Sequence, residues 1–304
     1  MQAPDFIKKI GLSFLGVFFT TMLLASCATA QTANEPPRYA RAEMPTPVLN
    51  TADFRSVFGG SDGKTLQRDS QGLIRAVEFI ALPGTSFQIE NSFMVNGTKI
   101  YQVRTADYPP QKTGLYVDSR FVSVSSEPLP IRAKKMPPKN QILEKMASRQ
   151  GLRYVWGGNI SQGIPQMFQF YPPSQRIPPE SENMWALHGL DCSGLLYEAA
   201  NGATPRNTSD LISFGKPVAI QGLTPTKIAA KLQPLDLITW KGHVIIVLDK
   251  THTIESCMGC SPTGGVTIRN LRAVLEEVMS ARQPFNQYPA KSSAKPFVIR
   301  RWYA

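Results

Sequence analysis

The chain has 304 residues, enough for two domains with cores of their own, and its hydrophobic share of 42% is ordinary for a globular protein. Lys and Arg outnumber Asp and Glu by 33 to 22, a net charge of +11 that favours acidic partners such as anionic lipid or a polyanionic wall polymer. No Lys/Arg-rich helix and no aromatic-plus-basic stripe accompanies that excess, which argues against nucleic acid as a partner.

Lys8 and Lys9 precede the apolar run "IGLSFLGVFFTTMLLA", too short and too weakly flanked for a typical transmembrane helix. The run closes on "LLASCATAQ", and small residues ending at Cys27 resemble the lipobox of bacterial lipoproteins, where that cysteine is acylated and becomes the mature N-terminus. Ala28-Thr29-Ala30 offers an ordinary signal-cleavage site instead, but the apolar run stops just before Cys27, which favours lipidation. Either way the expectation is an exported protein facing the periplasm or cell envelope. With Cys27 lipidated it is held to a membrane by that anchor and residues 1–27 are its signal segment, and in both cases the hydrophobic segment takes no part in the fold.

Residues 28–66, containing "TANEPPRYARAEMPTPVLN", read as a Pro-rich polar tether or irregular arm. Residues 67–130 turn strand-like, with "LIRAVEFI", a turn at "LPGTS", "FQIENSFMV", the turn dipeptide Asn96-Gly97, "TKIYQVRT" and "GLYVDSRFVSV". Short strands of this kind suit either an unspecialised β domain or a small barrel. "GTKIYQVRT" and "GLYVDSRFV" together resemble a bacterial SH3-like barrel. A linker at 131–139 follows. A helix then starts near Asn140, with Ile142, Leu143, Met146 and Ala147 at helical spacing and Gly151 beyond its end.

"HGLDCSGLLYEAANG" carries the chemistry. Asp191 is a favoured N-cap, Leu195, Leu196 and Ala199 form an apolar stripe, and Gly202 supplies a stop. Cys192 then takes the first helical position, where unpaired amides and the helix dipole favour a thiolate and can stabilise an oxyanion. A buried structural cysteine is the plainer alternative. Of the three histidines, His243 opens the β-branched run "GHVIIVLD", and "HTIES" follows a turn. A hairpin centred on Asp249 sets His243 directly opposite Glu255 on one face, a carboxylate beside an imidazole as in a Cys-His-acceptor triad. His252 differs from Glu255 by an odd number and faces away on a regular strand, while the loop around Gly189 leaves the direction of His188 open.

With "RYVWGG", "LDCSGLLYEA", "TPRNTSDLISFG", "PLDLITW" and "GHVIIVLD...IES" in this order, the chain from Asn140 onward resembles the NlpC-type cell-wall peptidases, a papain-like family. The resemblance implies an α+β fold, in which residues 140–304 form a papain-like domain, a helix packed on an antiparallel sheet, behind the small all-β SH3-like barrel. It implies a cysteine endopeptidase that hydrolyses peptidoglycan stem peptides (muropeptides), commonly between the γ-carboxyl of D-glutamate and a diamino acid. Carried over by position, Cys192 is the nucleophile, His243 the general base and then acid, Glu255 the third member, and Tyr154 the tyrosine near the thiolate. Asp191 and Ser193 match positions that bind the free amine of an N-terminal L-alanine, with Tyr116 as the barrel tyrosine beside them. Trp156 is a candidate substrate-binding residue of the cleft wall, with a place in the core as the alternative. The resemblance implies no metal and no organic cofactor. A non-enzymatic wall-binding lipoprotein, or another acyl transfer by the same three residues, is the alternative.

Three departures stand out. Pro234-Leu235-Asp236 replaces the family's frequent Pro-Gly-Asp, so the turn is expected to avoid a glycine-only conformation. Glu255 stands where a histidine or another polar group is common. "NISQGIPQMFQFYPPSQRIPPESENMWALHG" separates "WGG" from Cys192 where relatives often have a short loop, and reads as a cleft wall or a surface decoration. "CMGC" places Cys257 and Cys260 at chelating spacing, but no second such pair exists to complete a zinc site. A disulfide in an oxidising compartment or two free thiols remain. Arg206 reads as a residue that holds a loop by hydrogen bonds.

Overall fold

Asn96 and Gly97 both lie at positive φ, 49° and 78°, the geometry of a two-residue hairpin turn, and join the longest strands of the molecule. The computed structural model describes residues 38–260 and 264–303; the proposed signal segment and Cys27 lie outside them. Among the described residues no helix is long and apolar enough to cross a membrane.

The N-terminal half contains β1 (Tyr39–Ala42), β2 (Thr46–Leu49), α1 (Phe54–Val57), β3 (Phe58–Gly59), β4 (Thr65–Leu66), β5 (Val77–Ala81), β6 (Ser86–Val95), β7 (Thr98–Arg104), β8 (Leu115–Asp118) and β9 (Val122–Ser125). Seven of these strands form one sheet in the order β5-β2-β8-β7-β6-β1-β9, each pair antiparallel. Residues 38–66 are therefore no tether, because β1 and β2 are interior members of that sheet. Their shortness and Pro47 hid them. Pro47 has a ladder partner in β5, but β2 meets β8 only at Leu49 and Tyr116, so the missing N–H leaves no gap in a second ladder. The expected strand from Leu73 begins only at Val77, after a turn fastened by Asp69.

The C-terminal half contains α2 (Lys139–Ala147), β10 (Asn159–Ile160), α3 (Gln166–Phe170), α4 (Pro179–Trp185), β11 (Gly189–Leu190), α5 (Cys192–Ala199), α6 (Thr208–Leu211), β12 (Lys216–Val218), α7 (Pro225–Lys231), β13 (Leu237–Trp240), β14 (His243–Val247), β15 (His252–Cys257), β16 (Gly265–Asn270), α8 (Leu271–Ala281), β17 (Gln283–Pro284) and β18 (Pro296–Arg301). Its sheet runs β12-β18-β13-β14-β15-β16, antiparallel throughout, with β17 parallel on β18. Alternation along β13 and β14 explains the layers. Leu237, Val244 and Ile246 pack with α2 and α5, while Ile238, Ile245 and Val247 pack with α7 and α8. The molecule is thus a mixed α/β protein built on antiparallel sheets.

Two expectations about local structure fail for identifiable reasons. Leu235 does adopt the left-handed region, with φ +74°. A hydrogen bond from its N–H to the Val247 carbonyl (2.8 Å), one to its carbonyl from the Trp302 indole (2.8 Å) and the buried side chain together hold it there. The segment between "WGG" and Cys192 is no surface decoration. Ile164, Met167, Tyr171, Ile177, Trp185 and Leu187 join Leu49, Phe54, Phe58 and Ile100 in one core cluster, so the insertion belongs to the core of the N-terminal half.

Candidate active site

Helix α5 starts at Cys192 because Asp191 caps it. Asp191 is extended, at φ −86° and ψ −179°, and its Oδ1 accepts the Gly194 N–H at 2.7 Å. The first turn is pressed against the backbone of Gly158. A Cβ at Gly194 would stand 2.0 Å from the Gly158 carbonyl oxygen, and one at Gly158 would stand 2.5 Å from that of Gly189. The glycines of "DCSG" and "WGG" therefore serve close approach of backbones, which sets Cys192 at the wall of the site, 5% exposed.

His243 begins β14 and Glu255 lies within β15. The pairing of Ile246 with Ile254 and of Val247 with Thr253 extends to Ile245 opposite Glu255, so His243 is two residues along from the position directly across. The expected register was off by two because Asp249 builds a wider turn, its Oδ1 accepting the N–H groups of Thr251 and His252 at 2.7 and 2.8 Å. Parity is unchanged, so both side chains share a face, and Nε2 of His243 meets Oε2 of Glu255 at 2.7 Å. That contact leaves Nδ1 of the ring free of Glu255, and Cys192 lies near enough to act on the ring's charge. Burial disfavours charge on the ring, but the hydrogen bonds with Cys192 and Glu255 more than offset it and raise its pKa from 6.5 to about 10. Trp240 packs on the ring, with centroids 5.2 Å apart. Glu255 is 3% exposed, and its Oε1 accepts from Arg269 at 3.3 Å.

Tyr154 bridges to Leu190 just before the cap. Burial first, then the negative charges at Asp191 and Cys192, raise its hydroxyl pKa far above the usual phenol value, so it stays a neutral donor. Asp191 and Ser193 are gathered by Arg206, itself 3% exposed. Its Nη2 reaches Asp191 Oδ2 at 2.6 Å, Nη1 reaches Ser193 Oγ at 2.8 Å, and Nε reaches Asn159 Oδ1 at 3.0 Å. Arg206 thus fixes the cap from beneath, and one carboxylate oxygen of Asp191 also serves the helix.

The structure does not bring Tyr116 here. It lies opposite Leu49 and Gln102 with its ring 6.3 Å from that of Phe93. The tyrosine that the N-terminal half presents is Tyr108, whose hydroxyl donates to Glu78 Oε2 at 2.9 Å and accepts from Asn207 at 3.4 Å. Burial and the Glu78 charge raise its pKa, with smaller effects from Arg206 and Asp191 that place it beside the cap. Tyr108 follows the strand pattern in a loop, and only the pairing of the two halves could have singled it out. Trp156 carries the Arg75 guanidinium 4.0 Å above its ring, so one face is already covered. Trp185 is core, its indole N–H donating to the Tyr171 carbonyl at 2.8 Å. His188 bonds Asn183, and His252 is exposed and bonds Asp249; neither is brought to Cys192. Cys257 and Cys260 are joined by a disulfide, and with Glu255 they are the described residues whose donor atoms cluster tightly enough to hold a metal.

No family model matches the chain, and no curated protein matches it. Among solved structures it is similar to the peptidoglycan hydrolase RipB from Mycobacterium tuberculosis, at 21% identity and a TM-score of 0.31, over 55% of this chain and 65% of that one. It is similar to an NlpC/P60 family protein from Bacillus cereus ATCC 10987 at 15% identity and a TM-score of 0.32, over 88% of this chain and 63% of that one. The chain thus spans less than two thirds of the length of either structure. RipD from Mycobacterium tuberculosis, a non-catalytic NlpC/p60 domain protein adapted to peptidoglycan binding, matches at 16% identity and a TM-score of 0.28, over 53% of this chain and 95% of that one.

Proposed function

We propose that the chain is a cysteine peptidase that hydrolyses peptidoglycan stem peptides between the γ-carboxyl of D-glutamate and a diamino acid. In this reading residues 140–304 are a papain-like domain and the N-terminal sheet is an SH3-like barrel. The carrying observation is one imidazole bonded by Glu255 at 2.7 Å, with Cys192 near enough to support the charge on the same ring. The sulfur attacks the amide carbonyl, and the oxyanion is stabilised by amides at the start of α5. The carbon–nitrogen bond breaks as His243 gives its proton to the leaving amine. The ring then takes a proton from water, whose oxygen displaces the sulfur and releases the acid.

Electrostatics support a preference for peptides whose N-terminal L-alanine has a free amine. Glu78 is bonded only by neutral groups, Asn50 at 2.8 Å and Tyr108 at 2.9 Å, and no described cation pairs with it. Asp191 is already matched by Arg206. One uncompensated negative charge therefore faces the region of the cap, suited to an ammonium group. The N-terminal segment supports export and lipid anchoring at Cys27.

The test is the full chain against defined stem peptides, with fragments identified by mass. Cys192→Ala and His243→Ala should each lose about 10⁴-fold or more in kcat/KM, while His188→Ala and His252→Ala stay within about twofold. Burial of Cys192 to 5% exposure favours a second reading, a wall-binding protein with an idle site. Wild-type protein that binds wall but cuts no stem peptide would establish that reading and remove the first.

A further inference from the structure

Cys257 ends β15 two residues after Glu255, and Cys260 follows within the same turn. A Glu255 carboxylate oxygen and the two sulfurs lie within 4.8 Å of one another. All three residues line one open cavity with His243, Trp240 and Arg269, and both cysteines are partly exposed to it. In the sequence the two cysteines stand without a second C-x-x-C or a suitably spaced histidine. Folding supplies a carboxylate as the third donor instead.

We propose that, once the disulfide is opened, Cys257, Cys260 and Glu255 form a site for a thiophilic divalent cation, zinc foremost, whose binding draws Glu255 away from His243. Two thiolates and a carboxylate are a fitting donor set for zinc, and the cavity leaves a fourth position for water. Tetrahedral zinc with Zn–S bonds of about 2.3 Å holds two sulfurs about 3.8 Å apart, so the closed disulfide excludes the metal. Opening requires a dithiol reductant. The bond between the two sulfurs breaks, two electrons and two protons arrive, and the dithiol leaves as its own disulfide. Metal entry then releases both thiol protons to solvent.

Arg269 opposes a cation at this place, yet its guanidinium also binds Glu277, so it keeps a carboxylate partner when Glu255 turns to the metal. The consequence for catalysis rests on the peptidase reading above. With Glu255 on the metal, the His243 ring loses the partner that orients it and supports its charge. Zinc then inhibits the reduced chain through this site and leaves the oxidised chain without such a site.

The experiment uses the full chain carrying Cys192→Ala, which removes the nucleophile as a competing ligand, reduced by a dithiol and freed of it without air. Titration with cobalt(II) should produce thiolate-to-cobalt charge-transfer absorption that saturates at one metal per chain and is bleached by zinc. The oxidised chain and the variant that adds Cys257→Ser and Cys260→Ser, its fold checked by circular dichroism, should show none. Glu255→Gln should weaken the affinity by more than about tenfold, the least that loss of even an outer partner produces. Absence of the band in the reduced chain, a band that persists without the two cysteines, or an affinity indifferent to Glu255→Gln each overturns the proposal. The readout is absorbance in a protein that cannot cut peptides, so its failure is distinct from failure of the peptidase reading.

Discussion

At the scale of single residues, the proposed chemistry turns on the proton on His243. Burial alone would strip that proton, but the hydrogen bonds with Cys192 and Glu255 reverse the balance and carry the ring's pKa to about 10. At neutral pH the imidazolium is therefore already formed, with the proton that a leaving amine needs. Raising the pH through about 10 removes it. The rate on a stem peptide should hold steady from neutrality to about pH 9 and fall beyond, because the protonated form is the one present below the pKa. Glu255→Gln keeps the shape and removes the charge, so the alkaline limb of kcat/KM should move down by about 1–2 pH units. An unmoved limb would show that Glu255 does not support the ring's charge. Arg206 acts at the same scale but through another residue, since its bonds to Asp191 and Ser193 hold the cap on which the position of Cys192 depends.

At the scale of elements, the insertion between "WGG" and Cys192 belongs energetically to the other half of the chain. Trp185 is fully buried in the cluster that contains Phe54 and Phe58, and Tyr171 donates to the buried Asp118 at 2.6 Å. Trp185→Ala should therefore destabilise the protein by about 3–5 kcal/mol, and Tyr171→Phe by about 1–2 kcal/mol, in denaturant unfolding. Unchanged stability in both would return the insertion to the surface. Elements whose cause is local were legible in the sequence. The cap at Asp191, the helix it starts and the Asn96-Gly97 hairpin each follow from a few adjacent residues. The parity of His243 and Glu255 was legible too, but their register was not, because Asp249 folds the turn on its own carboxylate. Strands β1 and β2 carry no periodic signal because each has only four residues, one of them a proline in β2, and only their neighbours in the sheet make them strands. Tyr108 was missed for Tyr116 for a related reason. Which tyrosine of the N-terminal half lies near the cap depends on how two halves of the chain pack, and no spacing within either half encodes that.

At the scale of the whole molecule, one of the contacts that join the two halves is backbone-like and made by a single side chain. Asn159 is fully buried. Its Oδ1 accepts the Ile80 N–H at 2.9 Å and its Nδ2 donates to the Ile80 carbonyl at 2.8 Å, so the amide extends the ladder at the edge strand β5. The same Oδ1 accepts from Arg206 at 3.0 Å, and Arg206 continues to Asp191 and thus to the cap of α5. The N-terminal sheet is linked to the start of the Cys192 helix through three side chains. Such a connection favours unfolding as one unit, since neither half keeps its buried polar groups paired without the other. Thermal unfolding followed by circular dichroism and by tryptophan fluorescence should give one coincident transition. Asn159→Ala leaves the N–H and carbonyl of Ile80 without partners, and should lower stability by about 2–4 kcal/mol. Because Arg206 loses a support in the same step, kcat/KM should fall with it under conditions where the variant remains folded. Leu190→Ala removes apolar bulk behind the same helix and touches none of these polar bonds. If it matched the stability loss of Asn159→Ala and also its loss of activity, the link would be simple packing. A larger activity loss for Asn159→Ala at equal stability is what transmission through Arg206 requires.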